Sequence, residues 1–301
     1  MADILWGAPA AEALSGELAR RVQALRGRGT VPVLAVVRVG GRPDAAAYER
    51  SILKRCAGVG IDVRRHLLTE DGAGERLPET VRDISADGSV HGCLMLSPLG
   101  DAALEAEARA LLAPEKDVDG MTALSLAAVF TGTGPGYPPC TPRACLELLD
   151  YYRIPLAGRR AVVIGRSLVV GRPLAMMLQA RDATVTLCHS KTEGLAAICR
   201  EAGILFCAAG RAGMVDGSFL SPGQVVVDVG TSLDESGKLR GDVRFQEAEA
   251  VASAVTPVPG GVGAVTTAVL CRHVVEAAER ASPACGKPPC PDMAENKDIF
   301  R

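Results

Sequence analysis

The sequence predicts an α/β protein of two domains, built on doubly wound sheets of mostly parallel strands. Its 301 residues correspond to about two domains at roughly 150 residues each. Short apolar runs rich in β-branched residues alternate along the chain with segments of helical periodicity, which is typical of parallel sheets covered by helices. Near residue 165, one such run meets a helical segment through a turn bounded by glycines, as doubly wound folds require.

The N-terminal part of the chain alternates between helix and strand. Residues 32–40 (PVLAVVRVG) form an apolar, β-branched run closed by glycine, which predicts a buried strand. Residues 8–25 repeat apolar positions at helical spacing and predict a helix before that strand. The same reasoning predicts helices at 44–59, 77–85 and 102–112 and strands at 61–67 and 90–96.

A segment rich in glycine and proline, residues 132–142, predicts a linker to a second α/β unit. Residues 282–301 are rich in proline and acidic residues and lack periodicity, so we expect a mobile tail there. Between the linker and the tail, the patterns predict helices at 142–151, 172–179 and 266–281 and strands at 160–164, 184–188, 204–208 and 225–229.

Composition excludes several classes of protein. The net charge of −2 and the pI near 6.1 provide no global attraction for nucleic acid or an anionic membrane. No apolar run approaches the ~18 residues of a membrane span, and Asp3 stands where a signal peptide needs basic residues, so we expect a cytoplasmic protein. The ten cysteines lie mostly in apolar runs and form no CxxC pair, so we expect them to be reduced and expect no metal site.

The turn at residues 163–173 (VIGRSLVVGRP) is the first candidate for a ligand site. Doubly wound folds bind pyrophosphate where a strand meets a helix, because free backbone N–H groups and the helix N-terminus point at the ligand. Gly165 permits the tight turn, Gly171 allows close approach, and Pro173 suits the first turn of the helix. A βα turn of this composition that binds nothing is the alternative, because the turn is not GxGxxG.

The end of the next predicted strand bears on the choice of nucleotide. Residues 187–191 (LCHSK) contain no acidic residue, whereas NAD-binding domains commonly place one there for the ribose 2′-hydroxyl. Ser190, Lys191 and Arg166 offer a hydroxyl and positive charge instead, which favours a 2′-phosphate and therefore NADP. Lys191 is equally well explained as a solvated surface charge.

Several further segments resemble one family. With the GRSxxVGxP turn and the CHSKT segment, they are similar in order and spacing to the methylenetetrahydrofolate dehydrogenase/cyclohydrolase family over about residues 14–281. These segments are 114–120 (PEKDVDG), 139–142 (PCTP), 241–243 (GDV) and 256–263 (TPVPGGVG).

The resemblance implies a fold, a reaction and partners. A Rossmann-type NADP domain would span residues 140–266, and a split α/β folate domain would comprise 1–139 completed by the C-terminal helix at 267–281. The expected reaction is oxidation of 5,10-methylenetetrahydrofolate to the methenyl form, which most members then hydrolyse to 10-formyltetrahydrofolate. Tetrahydrofolate derivatives would be the substrates, and the protein would be a homodimer.

The resemblance also implies roles for individual residues. Tyr48 would stack on the folate, Asp119 would bind the pterin through paired N–H donors, and the loop Pro259, Gly260 and Gly261 would line the cleft. A tyrosine packed in the core and a turn-forming aspartate are the alternatives for the first two. The implied cofactor-binding residues are Arg166 and Ser190 at the 2′-phosphate, with Gly165, Ser167, Gly171, Gly230 and Thr231.

Two catalytic positions depart from the family pattern. The family's Tyr-x-x-x-Lys reads Tyr48 to Ile52 here, and Leu96 stands where a glutamine accompanies that lysine. Lys54 is two residues further along the helix, a rotation of roughly 200° at 3.6 residues per turn, so it should not point into the same cleft. We therefore expect an NADP-dependent dehydrogenase whose cyclohydrolase activity is lost or strongly reduced, with a separate cyclohydrolase completing the pathway. The alternatives are a bifunctional enzyme that uses another group, such as Lys54, and a non-catalytic paralogue that binds folate or nucleotide.

Overall fold

The computed structural model describes residues 1–234 and 237–282, which form two compact units. The six-stranded unit contains Met1–Glu12 and Thr141–Thr266, and the three-stranded unit contains Ala13–Cys140 and the segment from Thr267. The predicted tail lies outside the described residues except for Ser282. That residue is buried, with its hydroxyl 3.2 Å from the hydroxyl of Thr30.

Strands and helices alternate through both units. The strands are β1 (Asp3–Ile4), β2 (Val33–Val39), β3 (Asp62–Leu68), β4 (Gly92–Leu96), β5 (Arg160–Ile164), β6 (Thr184–Cys188), β7 (Ile204–Cys207), β8 (Val225–Asp228), β9 (Ser232–Leu233), β10 (Leu239–Arg240) and β11 (Ala254–Val255). The α-helices are α1 (Gly7–Arg26), α2 (Pro43–Val59), α3 (Ala73–Ala86), α4 (Ala102–Leu111), α5 (Ala123–Thr131), α6 (Cys140–Tyr151), α7 (Gly171–Gln179), α8 (Leu195–Arg200), α9 (Phe245–Val251) and α10 (Val262–Ala281). Short 3-10 helices lie at Glu70–Gly72, Pro114–Lys116 and Gly217–Phe219.

The six-stranded unit is built on a parallel sheet in the order β1-β11-β8-β7-β5-β6. The strands β5, β7 and β8 are almost wholly apolar and buried, as expected of strands covered on both faces. From β5 the chain runs to β6 on one side and then crosses to β7 on the other, so the strand order reverses at β5. Such a reversal opens a crevice at the carboxyl ends of the strands, where doubly wound folds bind ligands.

The three-stranded unit has a parallel sheet in the order β3-β2-β4, with the apolar strand β2 at its centre. The helix α10 packs closely on this sheet. A Cβ added at Gly92 would lie 2.6 Å from Val118 and 3.2 Å from Val274 of α10, so glycine is needed for that approach. The expectation that a C-terminal helix completes this unit is confirmed.

The doubly wound, two-domain prediction is confirmed, and each predicted helix and strand is present with small shifts of its ends. Residues 1–12 group with the six-stranded unit in the structure, because β1 pairs with β11; the predicted domain boundaries, which place them with the folate domain, stay a prediction. Sequence patterns also missed helices and short strands. A two-residue strand has no periodicity to detect, and α5, α8 and α9 are short helices between longer elements.

Among the described residues, no helix is both long and apolar enough to cross a membrane. The eight described cysteines are all free and buried, as expected of reduced thiols.

Candidate active site

The turn between β5 and α7 has the geometry that the sequence predicts. Gly165 has a φ of +119°, and a Cβ there would lie 2.1 Å from the carbonyl oxygen of Ala208. A Cβ at Gly171 would lie 1.9 Å from the carbonyl oxygen of Gly165. Both positions therefore require glycine, one for its backbone conformation and both for space.

Backbone donors in this turn are available to a ligand. The Ser167 hydroxyl accepts a hydrogen bond from the Val170 N–H at 3.1 Å and so braces the turn from within. In the described part of the chain, no acceptor is hydrogen-bonded to the N–H groups of Arg166, Leu168, Val169 and Gly171. Together with the N-terminus of the nine-residue helix α7, these donors form a site suited to a phosphate.

Arg166 and Ser190 lie at the same edge of the sheet. Ile164 and Cys188 are partners across the parallel strands β5 and β6, and the two residues follow those partners by two positions each. Both side chains are exposed, as is Lys191, so they are accessible to a ligand. A hydrogen bond from the Lys191 N–H to His189 Nδ1, at 3.2 Å, shapes the turn that carries Ser190.

The other predicted residues of the six-stranded unit lie in loops at its carboxyl edge and nearby. Gly230, two residues after the end of β8, is buried, and Thr231 beside it is exposed. In the glycine loop, defined as residues 259–261, Pro259 is exposed and Gly260 has a φ of +105°. The ring of Trp6 packs on Gly260, with ring carbons 3.1 and 3.3 Å from where a Cβ would lie, and remains 51% exposed.

In the three-stranded unit, Tyr48 and Asp119 influence each other electrostatically. The Tyr48 side chain is 40% exposed, but burial of its hydroxyl and the nearby charge of Asp119 raise the pKa of that hydroxyl far above its usual value. The structure brings these two predicted substrate-binding residues within electrostatic range of each other.

The two acids of the DVDG segment have different environments. Asp117 is buried and accepts hydrogen bonds from the N–H groups of Met121 (3.0 Å) and Thr122 (2.7 Å), so it holds the turn. For Asp119, burial and the charge of Asp117 raise the pKa to about 7, although a hydrogen bond from the Cys140 thiol opposes the shift. Asp119 therefore differs from Asp117 in having a pKa near neutrality.

The departures from the family pattern lie at buried positions. Ile52 is 0% exposed on α2 and Leu96, at the end of β4, is also buried. Leu96 is the cross-strand partner of Arg38, whose side chain reaches Glu49 of α2, so Leu96 lies on the sheet face that α2 covers. Lys54, by contrast, is exposed, as the rotation along the helix predicts.

Sequence reasoning missed the ion pairs that anchor α2. Glu49, adjacent to Tyr48, is buried and accepts hydrogen bonds from Arg38 (3.0 Å) and Arg65 (2.6 Å). Burial opposes its ionisation, but the two guanidinium groups outweigh burial and hold the pKa of Glu49 below its usual value. Arg38, the one charge in an otherwise apolar buried strand, was the available signal, because such a charge needs a partner.

Comparisons with known proteins identify the family. Residues 139–282 match the family model of the tetrahydrofolate dehydrogenase/cyclohydrolase NAD(P)-binding domain, and residues 5–119 match that of the catalytic domain. The chain is 48% identical to the bifunctional protein FolD of Carboxydothermus hydrogenoformans, over 93% of this chain and 98% of that protein.

Solved structures agree with this assignment. Bifunctional FolD of Campylobacter jejuni superposes with a TM-score of 0.88 at 37% identity, over 93% of this chain and 99% of that one. The Trypanosoma brucei enzyme, solved in complex with NADP cofactor and inhibitor, gives a TM-score of 0.87 at 32% identity, over 94% and 99%. The chain therefore belongs to the tetrahydrofolate dehydrogenase/cyclohydrolase family of NAD(P)-binding enzymes.

Proposed function

We propose that this protein is an NADP-dependent methylenetetrahydrofolate dehydrogenase. The observation that carries the proposal is the turn between β5 and α7, whose unoccupied backbone N–H groups and obligatory glycines fit a dinucleotide phosphate. Arg166 and Ser190, exposed at the same edge with no acid on β6, support a 2′-phosphate on that dinucleotide. The family models and the identities of its relatives point to the folate substrate.

The proposed reaction needs positioning more than proton transfer. NADP supplies, when bound, a nicotinamide ring that accepts a hydride. The methylene carbon between N5 and N10 of the folate loses the hydride with its electron pair, and the lone pairs of the two nitrogens stabilise the resulting cation. Tyr48 offers a flat aromatic surface for the substrate, and the Asp119 carboxylate orients it by accepting N–H donors. Because two bound reactants are held in place, proximity supplies much of the rate.

The same proposal holds that hydrolysis of the methenyl product is slow. Adding water to the cationic carbon requires protons to move between oxygen and nitrogen, work for which a positioned acid or base contributes ~10²- to 10⁴-fold. Ile52 has no group that carries a proton, and Leu96 has none that would orient one. Losing both polar groups together is nearly neutral for folding, whereas losing only one would leave a buried group unpartnered at a cost of roughly 1–3 kcal/mol.

A bifunctional dehydrogenase/cyclohydrolase is the second candidate, favoured by the name of a relative 48% identical to this chain. Such an enzyme would need a proton-carrying group other than the two replaced residues. Lys54 is the nearest lysine in sequence, and its position roughly 200° around α2 from Ile52 argues against it.

One preparation tests both candidates. With methylenetetrahydrofolate and NADP, NADPH formation followed by absorbance is the expected result, and no NADPH would contradict the dehydrogenase and favour a binding protein. Decay of methenyltetrahydrofolate is then followed on the same sample. A rate close to that of buffer is expected, and a rate well above it would establish the bifunctional enzyme.

We also propose that the protein is a homodimer, as its resemblance to the family implies. Light scattering coupled to gel filtration should then give about twice the chain mass of 31.2 kDa. A mass equal to one chain at micromolar concentration would contradict this.

A further inference from the structure

Two buried carboxylates lie beneath the loops that follow β7 and β8. Asp228, the last residue of β8, is 3% exposed, and Asp242, in the GDV segment, is 0% exposed. Neither forms an ion pair with a cation in the described part of the chain. Their charge is balanced by backbone N–H groups instead.

Asp242 binds the loop after β7. Its Oδ2 accepts hydrogen bonds from the N–H groups of Ala209 (2.6 Å) and Gly210 (3.0 Å), and its Oδ1 accepts one from Arg211 (2.7 Å). Three consecutive donors therefore converge on one side chain. A set of N–H groups arranged in this way would ordinarily attract an anionic ligand, but here the protein's own carboxylate already occupies it.

Asp228 holds Asp242 in place. Its Oδ1 accepts from the N–H groups of Gly230 (2.9 Å) and Asp242 (3.0 Å), and its Oδ2 accepts from Val243 (2.9 Å). Glycines pack closely against both carboxylates. A Cβ at Gly230 would lie 2.3 Å from Asp242 Oδ1, and one at Gly241 would lie 2.0 Å from Asp228 Oδ2.

The loop that Asp242 binds forms one wall of the crevice. Ala208 begins this loop, and its carbonyl oxygen lies 2.1 Å from the position of a Cβ on Gly165 in the β5–α7 turn. The strands β5 and β7 are neighbours at the reversal of strand order. A dinucleotide bound there spans the reversal, with its adenosine half over β5 and β6 and its other half over β7 and β8.

We propose that Asp242 is a positioning residue for the nicotinamide half of the cofactor, supported by Asp228. Because Asp242 already accepts the hydrogen bonds of residues 209–211, this loop contributes a fixed shape and leaves phosphate binding to the β5–α7 turn. This inference rests on the proposed function, since it presumes an NADP-sized ligand.

The test compares the whole cofactor with its adenosine half. Asp242→Asn keeps the size of the side chain but replaces an acceptor oxygen with an NH2 group that faces backbone donors. We expect the Kd for NADP, measured by calorimetry on folded protein, to rise by about tenfold or more. The Kd for adenosine 2′,5′-bisphosphate, which reaches only the turn and Ser190, should stay within about twofold of wild type.

Asp216→Asn is the matched control. Asp216 lies in the same unit and also accepts a backbone hydrogen bond, from Ser218 at 2.9 Å, but among the described residues its carboxylate accepts no hydrogen bond from residues 208–211. Its NADP and bisphosphate affinities should both match wild type. If Asp242→Asn does not fold, Gly241→Ala carries the same test, because its Cβ displaces Asp228 and leaves both carboxylates present.

The outcomes separate this inference from the proposed function. If Asp242→Asn loses affinity for NADP and for the bisphosphate equally, Asp242 has only a general structural role and the inference is overturned. Unchanged NADP affinity in a folded variant would overturn it as well. If wild-type protein binds neither compound, the proposed function fails and the inference fails with it.

Discussion

Two buried acidic sites, one in each unit, have different hydrogen-bond partners. In the six-stranded unit, Asp228 and Asp242 are surrounded by backbone N–H groups and have no cationic partner among the described residues. In the three-stranded unit, buried Glu49 is paired with the side chains of Arg38 and Arg65. Carboxylates bound to backbone fix the shape of loops, whereas a carboxylate bound to side chains fixes a helix on a sheet. The cofactor side therefore depends on loop shape, and the substrate side depends on where α2 places Tyr48 as well as on the turn that Asp117 holds.

The largest expected effect is on the folate reaction alone, which distinguishes the substrate side from the cofactor side. Asp119→Ala removes a half-buried acceptor, and kcat/KM for methylenetetrahydrofolate should fall by about 10²-fold or more, with the Kd for NADP unchanged. Steady-state kinetics and calorimetry measure the two quantities. Asp101→Ala, which removes the cap of α4 in the same unit, should leave kcat/KM near wild type. A parallel loss of NADP binding in Asp119→Ala would mean that the two sides are not independent.

The next largest effect is on the hydrolysis rate when the two replaced polar residues, at Ile52 and Leu96, are restored. Ile52→Lys with Leu96→Gln should raise methenyltetrahydrofolate hydrolysis by ~10- to 10²-fold, and Ile52→Lys alone should raise it less, because the lysine would lack the neighbour that tunes its pKa. Thermal unfolding should show a lower Tm for the single variant, since it places a charge at a fully buried position.

Lys54→Met is the control for that experiment. It should change neither hydrolysis nor NADPH formation, because Lys54 lies roughly 200° around α2 from Ile52. A wild-type hydrolysis rate that disappears in Lys54→Met would identify Lys54 as the group used by a bifunctional enzyme.

A smaller effect is expected at the 2′-phosphate. Arg166→Ala should lower kcat/KM for NADP by about tenfold and change that for NAD little, because only NADP carries the phosphate. Arg160→Ala is the matched control, since Arg160 is exposed at the opposite end of β5 and should affect neither cofactor. Equal losses for both cofactors in Arg166→Ala would contradict the proposed contact.

An effect of similar size follows from the raised pKa of Asp119. Below about pH 7 this carboxyl is protonated and loses acceptor capacity, so kcat/KM for the folate should rise by roughly tenfold between pH 6 and 8 and then level off. Stability should change in the opposite direction: because the folded pKa lies above the ordinary value of 3.8, ionisation costs stability, and Tm should fall as the pH rises from 3.8 to about 7 and then level off. Asp119→Asn should remove the part of the pH dependence of kcat/KM and of Tm that comes from this carboxyl. If the pH dependence of kcat/KM for the folate is the same in Asp119→Asn, it arises from another group.

The sequence predicts local features of the site better than long-range ones. Gly165 and Gly171 predict the turn from the sequence. Each must be glycine because a backbone carbonyl oxygen, of Ala208 or of Gly165, lies too close for a Cβ. The bonds of Asp242 to residues 209–211 join segments some 30 residues apart through backbone donors, which have no residue signature. Ile52 and Leu96 were recognised only against a family pattern, since apolar residues at buried positions are otherwise unremarked. The pairing of β1 with β11 joins Asp3 to Ala254, far apart in the sequence, and no periodicity encodes it.

The packing of Trp6 on Gly260 also gives the protein an intrinsic optical reporter. Trp6 is the single tryptophan of the chain, so tryptophan emission from the whole protein arises from one half-exposed indole against the glycine loop. The emission wavelength of an indole depends on the polarity around it, and the absorption of a dihydronicotinamide overlaps that emission. Changes at residues 259–261 can therefore be followed in unlabelled protein, and Trp6→Phe supplies the dark reference.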